Sequence, residues 1–329
     1  MTAFDEYQSL RTTFAVYPRG RAVARVSGPE REGFLSGLLA RTVEFSGPGT
    51  LLESLVLDEE GRPIDQVLVL VEDDDLLVLS DDPARFLDSL ATEADSAGNV
   101  TVEILPGATS LAVEGPAAWR AVAALVNGEI ATLALGEFVP VHIDGVLEDG
   151  KLARTGTTGE YGYVLTGRCD ADQLRAYLLG AVKNAVGVEI GREALLRASF
   201  EVAHPMFPEL FAGGLGIAEA GAQWLTGLDR EDDYRGRVDS PQERTAGIVA
   251  VRSEAGHVPA AGTEVTAAGE PVGTIHWASR LEGAEDSFGL ALLEVPWCVP
   301  GLELEAGGVS LRTVSRPAVD PRSWTEPIG

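Results

Sequence analysis

The stretch from Arg154 to Tyr163, which reads RTGTTGEYGY, constrains the fold of this chain more than any other. Its glycines alternate with small hydroxyl residues, and it runs from a polar turn into an apolar strand. Gly156 and Gly159 can take backbone angles that are closed to other residues, so the chain can turn tightly around a ligand here. Arg154 and Glu160 stand at the two ends of the loop. They are either a surface ion pair on a hairpin or the charged groups of a binding loop.

The acidic charge of the chain limits its partners. The 329 residues have a formal net charge of -26. Such a surface repels phosphate backbones and anionic lipids, so we expect no nucleic-acid or membrane partner. No apolar run reaches the length of a membrane span, and the N-terminal residues lack the apolar segment of a secretion signal. We therefore expect a cytoplasmic protein, whose acidic composition reflects either a salty cytoplasm or a genome that favours arginine codons.

A strong hairpin pattern joins residues 50–57 to residues 62–71 around the turn 58–61. The second strand is apolar on both faces except for Asp65 and Gln66. Because side chains alternate between the two faces of a strand, Asp65 shares a face with the valines that follow it. A carboxylate on an apolar face costs several kcal/mol unless it is paired, hydrogen-bonded or protonated. Asp65 is therefore either a solvated residue near the strand end or a functional group.

Apolar periodicity predicts further strands and helices along the first two thirds of the chain. Proline at position 29, with two glutamates in the same turn, marks the start of a helix over 29–40. The other predicted elements are strands over 21–28 and 75–80, a helix over 82–95, a strand, turn and helix over 110–126, strands within 136–154, and a helix from 170 to about 183.

Composition changes in the last third of the chain. The polar segment 239–245 predicts a linker. From Gly247 to about Leu311, short alternating strands with frequent glycine and proline are typical of a small β-barrel. We therefore predict a first region over 1–240, which we expect to contain two subdomains, and a barrel domain over 246–329.

Several motifs, in the same order along the chain, resemble those of the aminomethyltransferase family, which includes the glycine-cleavage T-protein and other folate-dependent proteins. The loop 154–163 is similar to RTGYTGExGF, with Thr157 in place of the tyrosine. The hairpin is similar to NExGGxxDDLxV, with Asp65 at the first acidic position and Gln66 at the second. The segment 219–237 is similar to EAGLGWxVxxxKxDFxGR. Further matches lie at 26–43, 110–126 and, more loosely, 191–211.

The resemblance implies an α+β fold, with an aminomethyltransferase-like folate-binding region of mixed sheets and packed helices before the C-terminal β-barrel. It also implies a cofactor, tetrahydrofolate or another reduced folate. The implied activity is transfer of an aminomethyl or methyl group from a small amine or methyl donor. No spacing of metal ligands competes with this interpretation.

The resemblance also assigns roles to particular residues. Asp65 would be the catalytic group beside the reactive nitrogens of the folate, and Glu160 would hold the pterin. The remaining candidates for cofactor binding are three arginines that could neutralise a ligand carboxylate, and two residues expected near the cofactor cavity: Arg154, Arg192, Arg197, Glu219 and Trp224.

Two other hypotheses stay open. One is a non-catalytic folate-binding protein of the branch that supports iron–sulfur proteins, although the stretch 232–243 that corresponds to that branch's KGCYxGQE motif contains no cysteine. The other is a family member with a repurposed pocket, in line with the departures at Gln66 and Thr157. In glycine-cleavage enzymes a lipoyl protein carries the aminomethyl group, so a carrier protein is an alternative partner beside a free small-molecule donor.

Overall fold

The computed structural model describes residues 1–81, 86–126, 128–183, 185–227, 230–237, 244–253 and 256–329. Its helices are α1 (Ala3–Thr12), α2 (Arg31–Leu38), α3 (Leu87–Ala97), α4 (Ala118–Val122), α5 (Ala171–Gly180), α6 (Arg192–Glu201) and α7 (Ile217–Ala220). Its strands are β1 (Ala15–Pro18), β2 (Ala22–Ser27), β3 (Leu51–Leu57), β4 (Pro63–Val71), β5 (Asp75–Ser80), β6 (Thr101–Ile104), β7 (Ala108–Glu114), β8 (Phe138–Ile143), β9 (Leu147–Ala153), β10 (Gly162–Cys169), β11 (Val188–Glu189), β12 (Ala246–Ser253), β13 (Glu264–Ala267), β14 (Glu270–Ser279), β15 (Ser287–Glu294), β16 (Glu303–Ala306) and β17 (Val309–Val314). Within the described ranges, none of the helices combines the length and the apolar character needed to cross a bilayer.

Two sheets build the first part of the chain. A five-stranded antiparallel sheet has the order β3-β4-β5-β2-β6, and a six-stranded sheet has the order β11-β1-β7-β10-β9-β8. In the six-stranded sheet β1 pairs in parallel with β11 and antiparallel with β7. One face of the five-stranded sheet packs beneath α2 and α3, and its other face turns towards the centre of the molecule.

The C-terminal strands form a closed barrel in the order β12-β15-β14-β13-β16-β17. Its outer surface shares a hydrophobic core with the first sheet, because Phe288 and Leu290 of β15 lie in the same buried cluster as Leu55 and Leu68. The predicted barrel, and with it the α+β fold class, is confirmed. Residues 239–243 of the predicted linker lie outside the described residues, so the division into domains over 1–240 and 246–329 stays a prediction.

Most predicted elements occur where the periodicity indicates. The hairpin is confirmed, with β3 and β4 paired antiparallel. The helix predicted over 29–40 is shorter, and the one predicted over 82–95 begins at Leu87 among the described residues, since 82–85 lie outside them. The structure adds α1, whose start is fixed by a reciprocal capping box between Thr2 and Asp5.

A buried cluster of charged side chains joins these units at the centre of the molecule. Arg11 of α1 donates to the carbonyl oxygens of Thr158 (2.7 Å) and Ala198 (2.9 Å). It also lies 3.4 Å from Glu160 and 3.2 Å from Glu201, whose side chains are both fully buried. Because buried carboxylates are costly without a cation, Arg11 holds α1, the 154–163 loop and α6 in one arrangement.

The cluster continues from α6 to Asp286, which directly precedes β15 of the barrel, and to the side-chain hydroxyl of Tyr7 on α1. Arg197 donates to Glu201 at 3.1 Å and to both carboxylate oxygens of Asp286 at 3.0 and 2.9 Å. Tyr7 donates its hydroxyl to Glu201 at 2.7 Å. Burial and the neighbouring Glu201 carboxylate raise the pKa of Tyr7 to about 12, so this hydroxyl stays protonated and keeps donating.

We predict that Arg11→Met lowers the free energy of unfolding by about 3–5 kcal/mol, because it leaves two buried carboxylates short of a cation. Urea denaturation at neutral pH measures the change. Arg62→Met is the matched control, because Arg62 also forms an ion pair, with Asp58, but 62% of the Arg62 side chain is exposed. We expect this variant to lose only about 0–1 kcal/mol of unfolding free energy. Equal losses in the two variants would contradict a structural role for the buried cluster.

Candidate functional site

A cavity of about 370 Å³ opens where β1, β4 and the start of α6 meet. Its walls combine apolar rings and aliphatic side chains with charged residues of both signs. The lining residues are Tyr17, Pro18, Arg19, Arg21, Asp65, Gln66, Asp81, Ile190, Arg192, Leu195, Phe207, Pro208 and Glu209. We call this space the β4 cavity.

Asp65 lies in the wall of the β4 cavity and is buried, with 2% of its surface exposed. The valines that follow it on the same face, Val67 and Val69, belong to the core beneath α2 and α3. Its Oδ2 accepts a hydrogen bond from the hydroxyl of Ser80 at 2.8 Å, and its Oδ1 accepts one from the backbone N–H of Gln66 at 2.8 Å. The solvated interpretation of Asp65 is therefore wrong, and the carboxylate is held in a fixed orientation.

Gln66 points to the opposite face of the sheet, towards the centre of the molecule. Its Nε2 donates to Glu53 at 2.7 Å and to the carbonyl oxygen of Pro205 at 3.2 Å. Glu53, on β3, also accepts from Arg19 at 2.5 Å and lies 3.6 Å from His204. A buried carboxylate thus sits behind the β4 cavity with an amide, a guanidinium and an imidazole around it.

The surroundings of Glu53 determine its charge. Burial alone would raise its pKa, but His204, Arg19 and the Gln66 amide outweigh that effect and lower the pKa of Glu53 to about 2. Arg19 in turn reaches Asp81 at 3.2 Å. Glu53 is therefore ionised at neutral pH, and Arg19 is fixed between two carboxylates in the cavity wall.

The two arginines of α6 have different positions. Arg192 lines the β4 cavity, where it donates through Nε to Glu209 at 2.8 Å and through Nη2 to the carbonyl oxygen of Phe207 at 2.8 Å. Arg197 is 2% exposed and belongs to the central cluster with Glu201 and Asp286. Of these two candidates only Arg192 shares a cavity with Asp65.

The loop 154–163 does fold around a carboxylate, but that carboxylate is Glu114 of the same chain. Glu114 accepts hydrogen bonds from the backbone N–H groups of Thr157 and Thr158, both at 2.9 Å, and from the hydroxyl of Tyr17. A Cβ atom at Gly156 would lie 3.1 Å from Glu114, so a larger residue there would press against this carboxylate. Thr157 at the position of the motif's tyrosine fits this arrangement, because its hydroxyl meets that of Tyr17 at 3.0 Å.

Glu160 is not among the residues that line the β4 cavity, so its assignment to the pterin stays a prediction. Its carboxylate accepts from the backbone N–H groups of Arg322 (3.3 Å) and Ser323 (3.0 Å), and from the Ser323 hydroxyl (2.7 Å). With Arg11 also in contact, its bonding capacity is used to hold the C-terminal segment. Arg154, at the other end of the loop, donates to the carbonyl oxygen of Leu133 at 2.6 Å and likewise lies outside the cavity lining.

The last two candidates, Glu219 and Trp224, lie five positions apart in the sequence but contact different parts of the protein. Glu219 caps α7 by accepting from the backbone N–H of Gly216 at 3.0 Å. Trp224 is 45% exposed, and its ring centroid lies 5.5 Å from that of His204, which contacts Glu53. Neither lines the β4 cavity, although Trp224 reaches the polar cluster behind it.

Sequence reasoning missed Glu53 and Arg19. The signal for Glu53 was present, because it is a single acid in the apolar strand LLESLVL, as Asp65 is in the next strand.

Relatives named aminomethyltransferases are similar to this chain along nearly its whole length. The aminomethyltransferase of Geobacillus thermodenitrificans is 28% identical over 316 residues, which cover 92% of this chain and 84% of that protein. The aminomethyltransferase of Streptomyces coelicolor is 24% identical over 325 residues, which cover 95% and 86%. No protein-family model matches the chain.

A solved structure shows the same fold. The glycine cleavage system aminomethyltransferase T from Bartonella henselae aligns with a TM-score of 0.81 at 18% identity, covering 97% of this chain and 90% of that protein. The resemblance drawn from the motifs is confirmed by these matches. The relatives are transferases by name, which supports the expectation of an enzyme.

We predict that the stabilising effect of Glu53 is lost in acid. Its folded-state pKa of about 2 lies below the ordinary value of 4.5, so its contribution is fully present above pH 4.5 and disappears as the pH falls towards 2. The difference in unfolding free energy between the wild type and Glu53→Gln should therefore shrink by on the order of 3 kcal/mol over this range.

Chemical denaturation of both proteins at several pH values between 6 and 2.5 measures this difference. Glu148→Gln is the control, because 61% of the Glu148 side chain is exposed and its ion pair with Arg168 is loose at 3.9 Å. A wild-type advantage over Glu53→Gln that stays constant with pH would contradict the lowered pKa.

Proposed function

We propose that this relative of the aminomethyltransferases is an enzyme that transfers a one-carbon unit between a small amine or methyl donor and tetrahydrofolate. The observation that carries the proposal is the similarity to aminomethyltransferases over 92% of the chain, with a TM-score of 0.81 for the fold. The unit transferred is an aminomethyl or a methyl group. A carrier protein, of the kind that the glycine-cleavage resemblance implies, is the proposed alternative to a free donor.

The β4 cavity is the proposed place for the reactive part of the folate. Its volume of about 370 Å³ lies within the usual range of small-molecule sites, about 300–1,000 Å³. Apolar contacts from Ile190, Leu195 and Phe207 suit a flat heterocycle, and the arginines suit a carboxylate. The residues present therefore fit the group that the family implies.

Asp65 is the proposed catalytic group. When bound, tetrahydrofolate supplies the nitrogens that carry the one-carbon unit. The fixed carboxylate of Asp65 supports positive charge at the reacting centre and can hold a proton there, while the Ser80 hydroxyl keeps its orientation. Arg192, with its planar guanidinium already fixed by Glu209, is the proposed partner of a ligand carboxylate.

A folate binder without transfer activity is the second candidate. Gln66 stands where the resembling motif has its second acid, and Glu160 is engaged by the C-terminal segment. Both departures favour binding with altered or absent chemistry. Binding and turnover must therefore be measured separately.

We predict that reduced folate binds and stabilises the protein. At a concentration of 100 times its dissociation constant, tetrahydrofolate should add about 2.7 kcal/mol to the unfolding free energy. Isothermal titration and thermal unfolding with tetrahydrofolate and 5-formyl-tetrahydrofolate measure this. The absence of both heat and thermal shift with either compound would contradict the folate proposal whatever the fold.

We further predict that Asp65→Asn slows transfer by roughly 10²–10⁴-fold while folate affinity changes little, because the substitution keeps the shape and removes the charge. Single-turnover transfer and titration on the same preparation separate the two effects. Asp144→Asn is the control, since the Asp144 side chain is fully exposed and does not line the cavity. Full transfer activity in Asp65→Asn would exclude Asp65 as the catalytic group, and loss of affinity without chemistry in the wild type would favour the binder.

A further inference from the structure

Buried arginines in this protein are matched with carboxylates, and one partly buried arginine is not. Each of the three buried arginines in the described part of the chain forms ion pairs with two carboxylates: Arg11, Arg19 and Arg197. Arg316, just after β17, is partly buried and forms no ion pair with any residue that the structure describes. It therefore lacks the counter-charge that makes the burial of a cation favourable.

The surroundings of Arg316 do not replace that counter-charge. Among the described residues its guanidinium makes one hydrogen bond, a long one of 3.4 Å from Nη2 to the carbonyl oxygen of Ile248. The same Nη2 lies beside the end of α7, since a Cβ atom at Gly221 would be 3.9 Å from it. Burial and the neighbouring Arg244 lower the pKa of Arg316 to about 10. The group is still charged at neutral pH, but its charged form is destabilised.

Arg244 places a second guanidinium close to the first. Its Nε donates to the carbonyl oxygen of Ala246 at 3.0 Å, two positions before the Ile248 carbonyl that Arg316 contacts. Arg244 is exposed and forms no ion pair within the described ranges. A Cβ atom at Gly247 would overlap Arg244 Nη2, so this glycine leaves the space against β12 in which the guanidinium lies.

The spacing of the two guanidiniums suits a small oxyanion. Carbonyl groups two residues apart on a strand are separated by about 7 Å. A phosphate group that accepts one charge-assisted hydrogen bond of about 2.8 Å on each side bridges donors on the order of 8 Å apart. The planar fork of arginine matches phosphate and carboxylate oxygens. An oxyanion between Arg244 and Arg316 would also offset the repulsion between the two cations.

We propose that Arg244 and Arg316 form a binding site for a small oxyanion, a phosphate or a carboxylate group, between the barrel and α7. The anion supplies the counter-charge of Arg316 and spans the two guanidiniums. The site is separate from the β4 cavity, whose lining contains neither arginine. It goes beyond the proposed transfer activity and does not depend on it.

Isothermal titration with inorganic phosphate and with acetate, at an ionic strength held constant with KCl, tests the proposal. The tighter of the two probes identifies the class of anion. Arg316→Met should weaken its binding by about 10-fold or more, because hydrogen bonds from a charged donor are lost. Arg244→Gln, which removes the second charge, and Gly247→Ala, which keeps that charge but displaces the guanidinium, should each weaken it by about 3–10-fold.

Arg312→Gln is the matched control for these variants. Arg312 lies on β17, the strand that leads to Arg316, and 67% of its side chain is exposed. Its loss should leave the affinity for either anion within about 2-fold of the wild type. An equal loss of affinity in Arg312→Gln and Arg316→Met would reduce the effect to the overall charge of the barrel and overturn the site.

Thermal unfolding in phosphate-free buffer gives a second measurement, which a purely structural role of Arg316 would move in the opposite direction. We expect Arg316→Met to melt at the wild-type temperature or above it, because the variant removes a cation without a counter-charge. Added phosphate should then raise the melting temperature of the wild type but not of the variant. A lower melting temperature of the variant in phosphate-free buffer would show that the contact with Ile248 outweighs the cost of burial, and would overturn the proposal.

The remaining outcomes are equally decisive. Binding of neither probe to the wild type overturns the site, and so does binding that is unchanged in Arg316→Met. Stabilisation by phosphate that KCl of equal ionic strength reproduces is screening of the net charge of -26, and also overturns it. If Arg316→Met does not fold, Arg244→Gln and Gly247→Ala decide: loss of affinity in both supports the site, and unchanged affinity in either overturns it.

Discussion

The fold depends on one requirement, which is that two fully buried carboxylates receive their cations. Glu160 and Glu201 come from a loop and a helix of different units, and Arg11 of α1 reaches both. Desolvating such charges is favourable only when the pairing and the surrounding hydrogen bonds are complete. The observed arrangement of α1, the loop and α6 is therefore the one that gives both buried carboxylates their cation and hydrogen bonds. This arrangement also shapes the β4 cavity, because β1 follows α1 directly and α6 begins at the cavity wall.

The same principle of satisfying buried carboxylates explains the motif around which the chain is organised. The glycine-rich loop wraps Glu114 with backbone N–H groups, and Glu160 anchors the C-terminal segment. A loop built to surround a carboxylate thus uses one supplied by its own chain. The proposed ligand site lies on the neighbouring sheet instead, where strand alternation sets Asp65 and Gln66 on opposite faces of β4.

Local pattern was enough to predict the hairpin, the buried face of Asp65 and the barrel, because each follows from period-2 alternation and turn residues. Contacts between residues far apart in sequence were not predictable in this way. Gln66 meets Pro205 across 139 positions, and Glu160 meets Ser323 across 163. The roles of Arg192 and Arg197 show the limit clearly. Because Arg192 and Arg197 are five positions apart on one helix, they lie on different faces of it. Which of the two faces lines the cavity is decided only by how α6 packs on the rest of the protein.

The long separations in the central cluster also have a consequence for synthesis. Arg11 binds the carbonyl group of a residue that is translated 147 positions later. At a translation rate of about 5–20 residues per second, that partner is synthesised on the order of 7–30 s after Arg11. The Ser323 partner of Glu160 is synthesised after a further 163 positions. During this interval α1 has no fixed place on the growing chain. The place of α1 is therefore fixed late, only after the loop and α6 that supply its partners have been synthesised.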